Sequence, residues 1–159
     1  MMQEVKEVSL RKIRWKLFLL GFFKIPMIGF VKPKIQSIND NEVSMSISLR
    51  RRTKNHLNSM YFGALAVGAD VASGIHVFYL SEKYGHKVSF AFKSIEGEFL
   101  KRAETDVTFV FGEGARIKEM LEESVRTNSR INDHVTVKAF NSDQEEVAVF
   151  RMGVSVRVK

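Results

Sequence analysis

The chain has 159 residues, 45% of them hydrophobic and 27% charged, which is the size and make-up of one folded domain and not of a disordered segment. Its 25 Lys and Arg against 18 Asp and Glu leave a net charge of +7, favouring an anionic partner. The aromatics do not interleave with the basic residues, and no zinc-finger, RNP-like or basic-zipper pattern is present, so nucleic acid is not the expected partner. Cysteine is absent, which excludes disulfides and thiolate metal sites and points to a reducing, cytoplasmic compartment.

Residues Glu4 to Leu20 read as a basic helix, with Arg11, Lys12, Arg14 and Lys16 set among Leu10, Ile13, Trp15, Leu17 and Leu20. Phe22 to Val31 continues as an apolar piece interrupted by Lys24 and Pro26, and Lys32 with Pro33 closes the helical region. Residues 1–32 are therefore an N-terminal helical extension, and residues 33–159 the domain proper. The apolar run Leu17 to Phe23 is far short of the ~20 residues a membrane span needs. A basic amphipathic helix of this kind can rest on a membrane surface, but packing on the domain or across a dimer is the plainer expectation.

Strands are predicted over Lys34 to Ile38 and Glu42 to Leu49, the second with Val43, Met45, Ile47 and Leu49 on one face. Arg50, Arg51, Arg52 and Lys54 then make a basic loop. From Tyr61 to Leu80 the sequence is apolar on every side, which predicts a helix buried by its neighbours and makes it the hub of the fold. Gly63, Gly68 and Gly74 each cost it on the order of 1 kcal/mol of propensity, so packing must hold it. Ser81 to Gly85 reads as a turn, and Val88, Phe90 and Phe92 begin a third strand whose register breaks near Ser94 and Ile95, predicting a bulge. A fourth strand is expected from Ala103 to Phe111, a short amphipathic helix through Ile117, Met120, Leu121, Ser124 and Val125, and closing strands over Val135 to Phe140 and Val147 to Val158. Six strands on short turns pair antiparallel and curl around the single apolar helix, an α+β arrangement.

The residues that open that helix resemble the hotdog-fold thioesterase superfamily, and within it the phenylacetyl-CoA-type acyl-CoA thioesterases and related thioesterase-like domains. That motif is an Asn, a His-Gly-Gly beginning six residues on, and an Asp or Glu nine residues after the His. Here Asn55 takes the Asn position, Tyr61, Phe62 and Gly63 the His-Gly-Gly positions, and Asp70 the acidic one. Tyr61 for His and Phe62 for Gly are departures. The resemblance implies a hotdog fold, an acyl-CoA or other acyl thioester as ligand, and a pocket at a homodimer interface, with a tetramer as a further possibility. It implies no cofactor beyond the coenzyme A of the substrate.

Thioester hydrolysis needs a base or nucleophile and a donor set for the carbonyl oxygen. Asp70, the lone acid in an apolar helix, fits the first role, because desolvation raises a carboxyl's pKa and makes it a better base; the plainer alternative is a buried aspartate satisfied by a neighbour such as Ser73. The amides of Phe62 and Gly63 fit the second. Seven or eight residues at ~1.5 Å rise put these amides roughly 11 Å from Asp70 along the axis, too far for one helix to supply both groups, whereas antiparallel helices of two subunits can. Asn55 is a candidate to orient water or thioester, or else to cap the turn into the helix. Tyr61, Met60 and Ser73 are candidate pocket residues, and Arg51, Arg52 and Lys54 are candidates for the phosphates of coenzyme A. His56 and His76 have no metal-ligand spacing, and no metal is expected. Two alternatives stand beside hydrolysis: an acyl-binding protein without catalysis, and a hydroxyacyl thioester dehydratase using His56 with Asp70.

Overall fold

The computed structural model describes residues 5–159. The predicted N-terminal helix starts later than its sequence pattern: Glu4 lies outside the described residues, and α1 spans Leu10–Leu19, capped by the Ser9 hydroxyl accepting from the Lys12 amide. Val5 to Val8 are not helical. A π-helical turn, Leu20–Lys24, leads into α2, Pro26–Val31, where Pro26 occupies the first turn and its missing N–H costs nothing. Gly21 and Gly29 let these two pieces touch backbone to backbone, since a Cβ on Gly21 would lie 2.8 Å from the Gly29 nitrogen. The hairpin so formed buries Ile13, Leu17, Ile28 and Val31 in the main core. Lys12 and Lys16 pair with Glu82, and Arg14 Nε donates to the Ile35 carbonyl at 3.0 Å.

Six strands make one antiparallel sheet: β1 (Lys34–Ile38), β2 (Val43–Ile47), β3 (Val88–Phe99), β4 (Val107–Phe111), β5 (Ile131–Phe140) and β6 (Glu146–Val158), in spatial order β1-β2-β4-β5-β6-β3. The expected faces hold: Val43, Met45 and Ile47 on β2 and Val107, Phe109 and Phe111 on β4 are fully buried. The predicted bulge on β3 falls between Phe92 and Ser94. The fourth strand is shorter than expected, because its pairing starts at Val107 opposite Ile47 and the Asp106 carboxylate instead accepts from the Leu49 amide at 2.8 Å.

The sheet wraps α3, Phe62–Lys83, and α4, Gly114–Thr127, packs beside it. The turn expected over Ser81 to Gly85 is mostly helix, which runs on to Lys83. Among the described residues α3 is also the one helix long and apolar enough to cross a membrane, and here it is the core helix. On α4, Ile117, Met120, Leu121 and Ser124 are buried as expected, whereas Val125 is exposed.

Gly68 marks a close approach of α3 to the sheet, since a Cβ there would collide with the ring of Phe109, itself fully buried. Gly68→Ala gains about 1 kcal/mol of helix propensity, but overpacking a closed core costs about 1–3 kcal/mol or more. The expected result is a lower urea midpoint with an unchanged m-value, against the propensity trend; a raised midpoint would show that α3 and β4 are not held at this distance.

Candidate active site

Most of α3 is enclosed, but one stripe through Phe62, Ala66, Asp70 and Phe78 is exposed or half-buried. Asp70 is on the wall of two adjoining hollows. One, of about 230 Å³, lies between α3 and the N-terminal hairpin, walled by Leu17, Leu20, Ile28, Phe78 and Phe90. The other, of about 450 Å³, opens toward the β3 bulge beside Val67, Lys93, Ser94 and Ile95.

The Asp70 carboxylate makes no hydrogen bond or ion pair among the described residues, and burial alone pushes its pKa above the ordinary carboxylate value. Ser73 does not satisfy it. Its hydroxyl donates to the main-chain carbonyls of Ala69 at 2.8 Å and Asp70 at 3.3 Å, and its side chain is enclosed in the core. An acid with raised pKa and no partner, facing an apolar hollow, is the arrangement a general base or nucleophile requires.

The first turn of α3 has no side-chain cap. Its amides at Phe62 and Gly63 have no acceptor among the described residues, while those of Ala64 and Leu65 bond to the Tyr61 carbonyl. Tyr61 folds its ring over Gly63, where any Cβ would collide with it. Tyr61, Phe62 and Phe99 form an exposed aromatic group, with ring centroids 4.8 and 6.3 Å apart. Ile95 and Leu100, at about half exposure, extend this apolar surface along β3, an outer strand of the sheet.

The other candidates are placed as follows. Asn55 is spent on its own loop: its Oδ1 accepts from the amides of Leu57 at 2.9 Å and Ser59 at 3.2 Å, and its Nδ2 donates to the Ser59 hydroxyl. Met60 is buried, with its amide on the Ala103 carbonyl, so it supports the loop from below. In the basic loop Thr53 is the buried anchor, bonded to the Arg50 amide and the Ser48 carbonyl. Arg52 is engaged by the Phe30 carbonyl and lies 5.5 Å over the Phe30 ring, while Arg51 and Lys54 are exposed. His56 is exposed in the loop before α3, and His76 is enclosed in the core. Among the described residues no three His, Asp or Glu side chains converge as a metal would require. The hairpin residues Leu17, Leu20 and Ile28 are the part of the pocket wall that sequence reasoning missed, since nothing local ties them to Asp70.

A six-stranded antiparallel sheet wrapped on a long central helix is the hotdog fold, and solved structures of proteins named as thioesterases superpose on nearly the whole chain. A candidate thioesterase from Shewanella oneidensis matches with a TM-score of 0.79 at 15% identity, over 94% of this chain and 100% of its own. A Pseudomonas aeruginosa protein of unknown function, also named a candidate thioesterase, matches at 0.78 and 17% identity over 98% and 99%. A thioesterase from Haemophilus influenzae matches at 0.65 and 13% identity over 99% and 96%. By sequence the chain belongs to the family DUF4442, a domain of unknown function, whose model matches residues 14–158. No curated protein matches it by sequence.

Proposed function

We propose that the protein hydrolyses an acyl thioester, with Asp70 as general base and the acyl chain in the apolar hollows beside it. The observation that carries this reading is the unpartnered Asp70 carboxylate, raised in pKa, on the wall of a pocket in a fold shared with proteins named as thioesterases. Asp70 takes a proton from water, the water oxygen bonds to the thioester carbonyl carbon, and the C–S bond then breaks. The proton passes to the departing sulfur, leaving a carboxylic acid and a free thiol. The Phe62 and Gly63 amides suit the oxyanion, but they are roughly 11 Å along α3 from Asp70, so the site is completed by the corresponding helix of a second copy. The exposed Tyr61, Phe62, Ile95 and Phe99 surface beside the outer edge of β3 supports such a homodimer. For a coenzyme A ester, Arg51 and Lys54 are the cations free to meet the nucleotide phosphates, Arg52 being engaged by Phe30.

The test is thiol release from a panel of acyl-CoA esters and small acyl thioesters, by wild type and Asp70→Asn. Turnover by wild type and its loss in the variant are expected; equal turnover by both would remove Asp70 from the chemistry. A retained acyl chain in native mass spectrometry without any thiol release would instead make the protein an acyl carrier.

A further inference from the structure

The N-terminal hairpin uses only one of its faces to pack on the domain. On the other, Trp15, Phe18, Phe22 and Phe23 form a ladder with successive ring centroids 5.4, 5.9 and 4.7 Å apart. All four rings are more than half exposed, and so are Met27 and Phe30 on α2. Side chains of this size normally dominate a core, and a contiguous group of them left at the surface marks a contact with something apolar.

Charge indicates what that contact is. Between Ser9 and Lys34 the sequence has seven cations, Arg11, Lys12, Arg14, Lys16, Lys24, Lys32 and Lys34, and no acid, which equals the net charge of the whole chain. Lys12 and Lys16 are engaged by Glu82 and Arg14 by the Ile35 carbonyl, whereas the other four make no ion pair among the described residues. A second copy is a poor occupant, because a self-complementary contact sets these cations against the same cations. An anionic bilayer meets both needs: Trp and Phe rings settle at headgroup depth, and Lys and Arg reach lipid phosphates on long stems.

We propose that the α1–α2 hairpin seats the protein on an anionic lipid bilayer, with the Trp15 to Phe23 ladder in the headgroup boundary and Arg11, Lys24, Lys32 and Lys34 at the phosphates. A hollow of about 850 Å³ between the hairpin and β1 supports this, having apolar walls at Phe18, Phe22 and Ile28 and the cations Arg14, Lys32 and Lys34 around it. That combination suits an acyl chain with an anionic head. Leu17 and Ile28 separate this hollow from the one at Asp70, since they line both.

Trp15 is the only tryptophan, so its emission reports directly on the ladder. The full chain is titrated, without substrate, with vesicles of phosphatidylcholine alone or mixed with phosphatidylglycerol, following Trp15 emission and co-sedimentation. The result is therefore independent of the hydrolase reading. A blue shift and pelleting with the anionic vesicles, reversed by salt, are expected. Each cation neutralised in Lys24→Gln and Lys32→Gln should weaken partition about fivefold, from about 1 kcal/mol per cation at the surface. Phe22→Ser with Phe23→Ser, both exposed and so compatible with folding, should abolish the shift. No binding to phosphatidylglycerol vesicles, equal binding to neutral ones, or unaltered binding by the variants would overturn the proposal. So would a blue shift that grows with protein concentration in the absence of lipid, which would mean that a second copy covers the ladder.

Discussion

Asp70→Asn is expected to lose thiol release by about 10²–10⁴-fold, the usual contribution of a positioned general base, while becoming more stable than wild type at neutral pH. The two effects share one cause. Burial raises the Asp70 pKa and no described donor offsets it, so the native state holds the ionised carboxylate at a cost that the unfolded state does not bear. The sign follows: this cost is absent below the ordinary carboxylate pKa of 3.8, where both states are protonated, grows as pH rises from there toward the raised native value, and is constant above it. Asparagine removes the cost and also the base. Urea midpoints of the two proteins should therefore diverge in favour of the variant as pH rises from acid to neutral. A variant less stable than wild type at neutral pH would mean that the carboxylate has a favourable partner, and that its environment does not prepare it for catalysis.

The largest effect of pH on folding is expected from His76. Its Nε2 donates to the Asn39 carbonyl at 2.7 Å and its Nδ1 is buried without a partner, so the ring sits neutral with its proton on Nε2. Burial lowers its pKa from 6.5 to about 4, against smaller opposing pulls from the Asn39 carbonyl and Asp40. A histidine depressed in the native state stabilises above its unfolded pKa, and that stability is lost as pH falls from 6.5 to about 4. The full loss is about 3 kcal/mol. His76→Gln retains an N–H for Asn39 and does not titrate. It should be less stable than wild type at neutral pH, yet the gap should close as pH falls toward 4. Parallel stability curves for the two proteins would show that His76 is not the group responsible.

The parts of the fold that the sequence reveals are those where one face alone is buried. On β2 and β4 alternation follows burial residue by residue, and on β3 the displaced Ile95 marks the bulge. Helix α3 was legible in its apolar run but not at its end. Ser81, Glu82 and Lys83 have turn chemistry, and distant partners keep them helical: Lys12 and Lys16 hold Glu82, and Asp40 holds Lys83 at 2.5 Å. The same applies to the site. Asp70 is conspicuous because the only other acid of α3, Glu82, lies at the helix end beyond the apolar run, whereas Leu17, Leu20 and Ile28 reach Asp70 only through tertiary docking of the hairpin. Asn55 matches the motif by spacing, yet its polar atoms serve the loop that leads into α3, a distinction that depends on hydrogen bonds and not on spacing.

The most direct measurement of the central claim is the pH dependence of kcat/KM on an acyl thioester that the wild type turns over, since a general base acts only when deprotonated. The activity should rise with pH through one ionisation above the ordinary carboxylate range, and the same pKa should emerge from the pH at which the widening stability gap between wild type and Asp70→Asn levels off. An ionisation at the ordinary carboxylate value, a flat profile, or an unchanged profile in Asp70→Asn would contradict the assignment of Asp70 as the base.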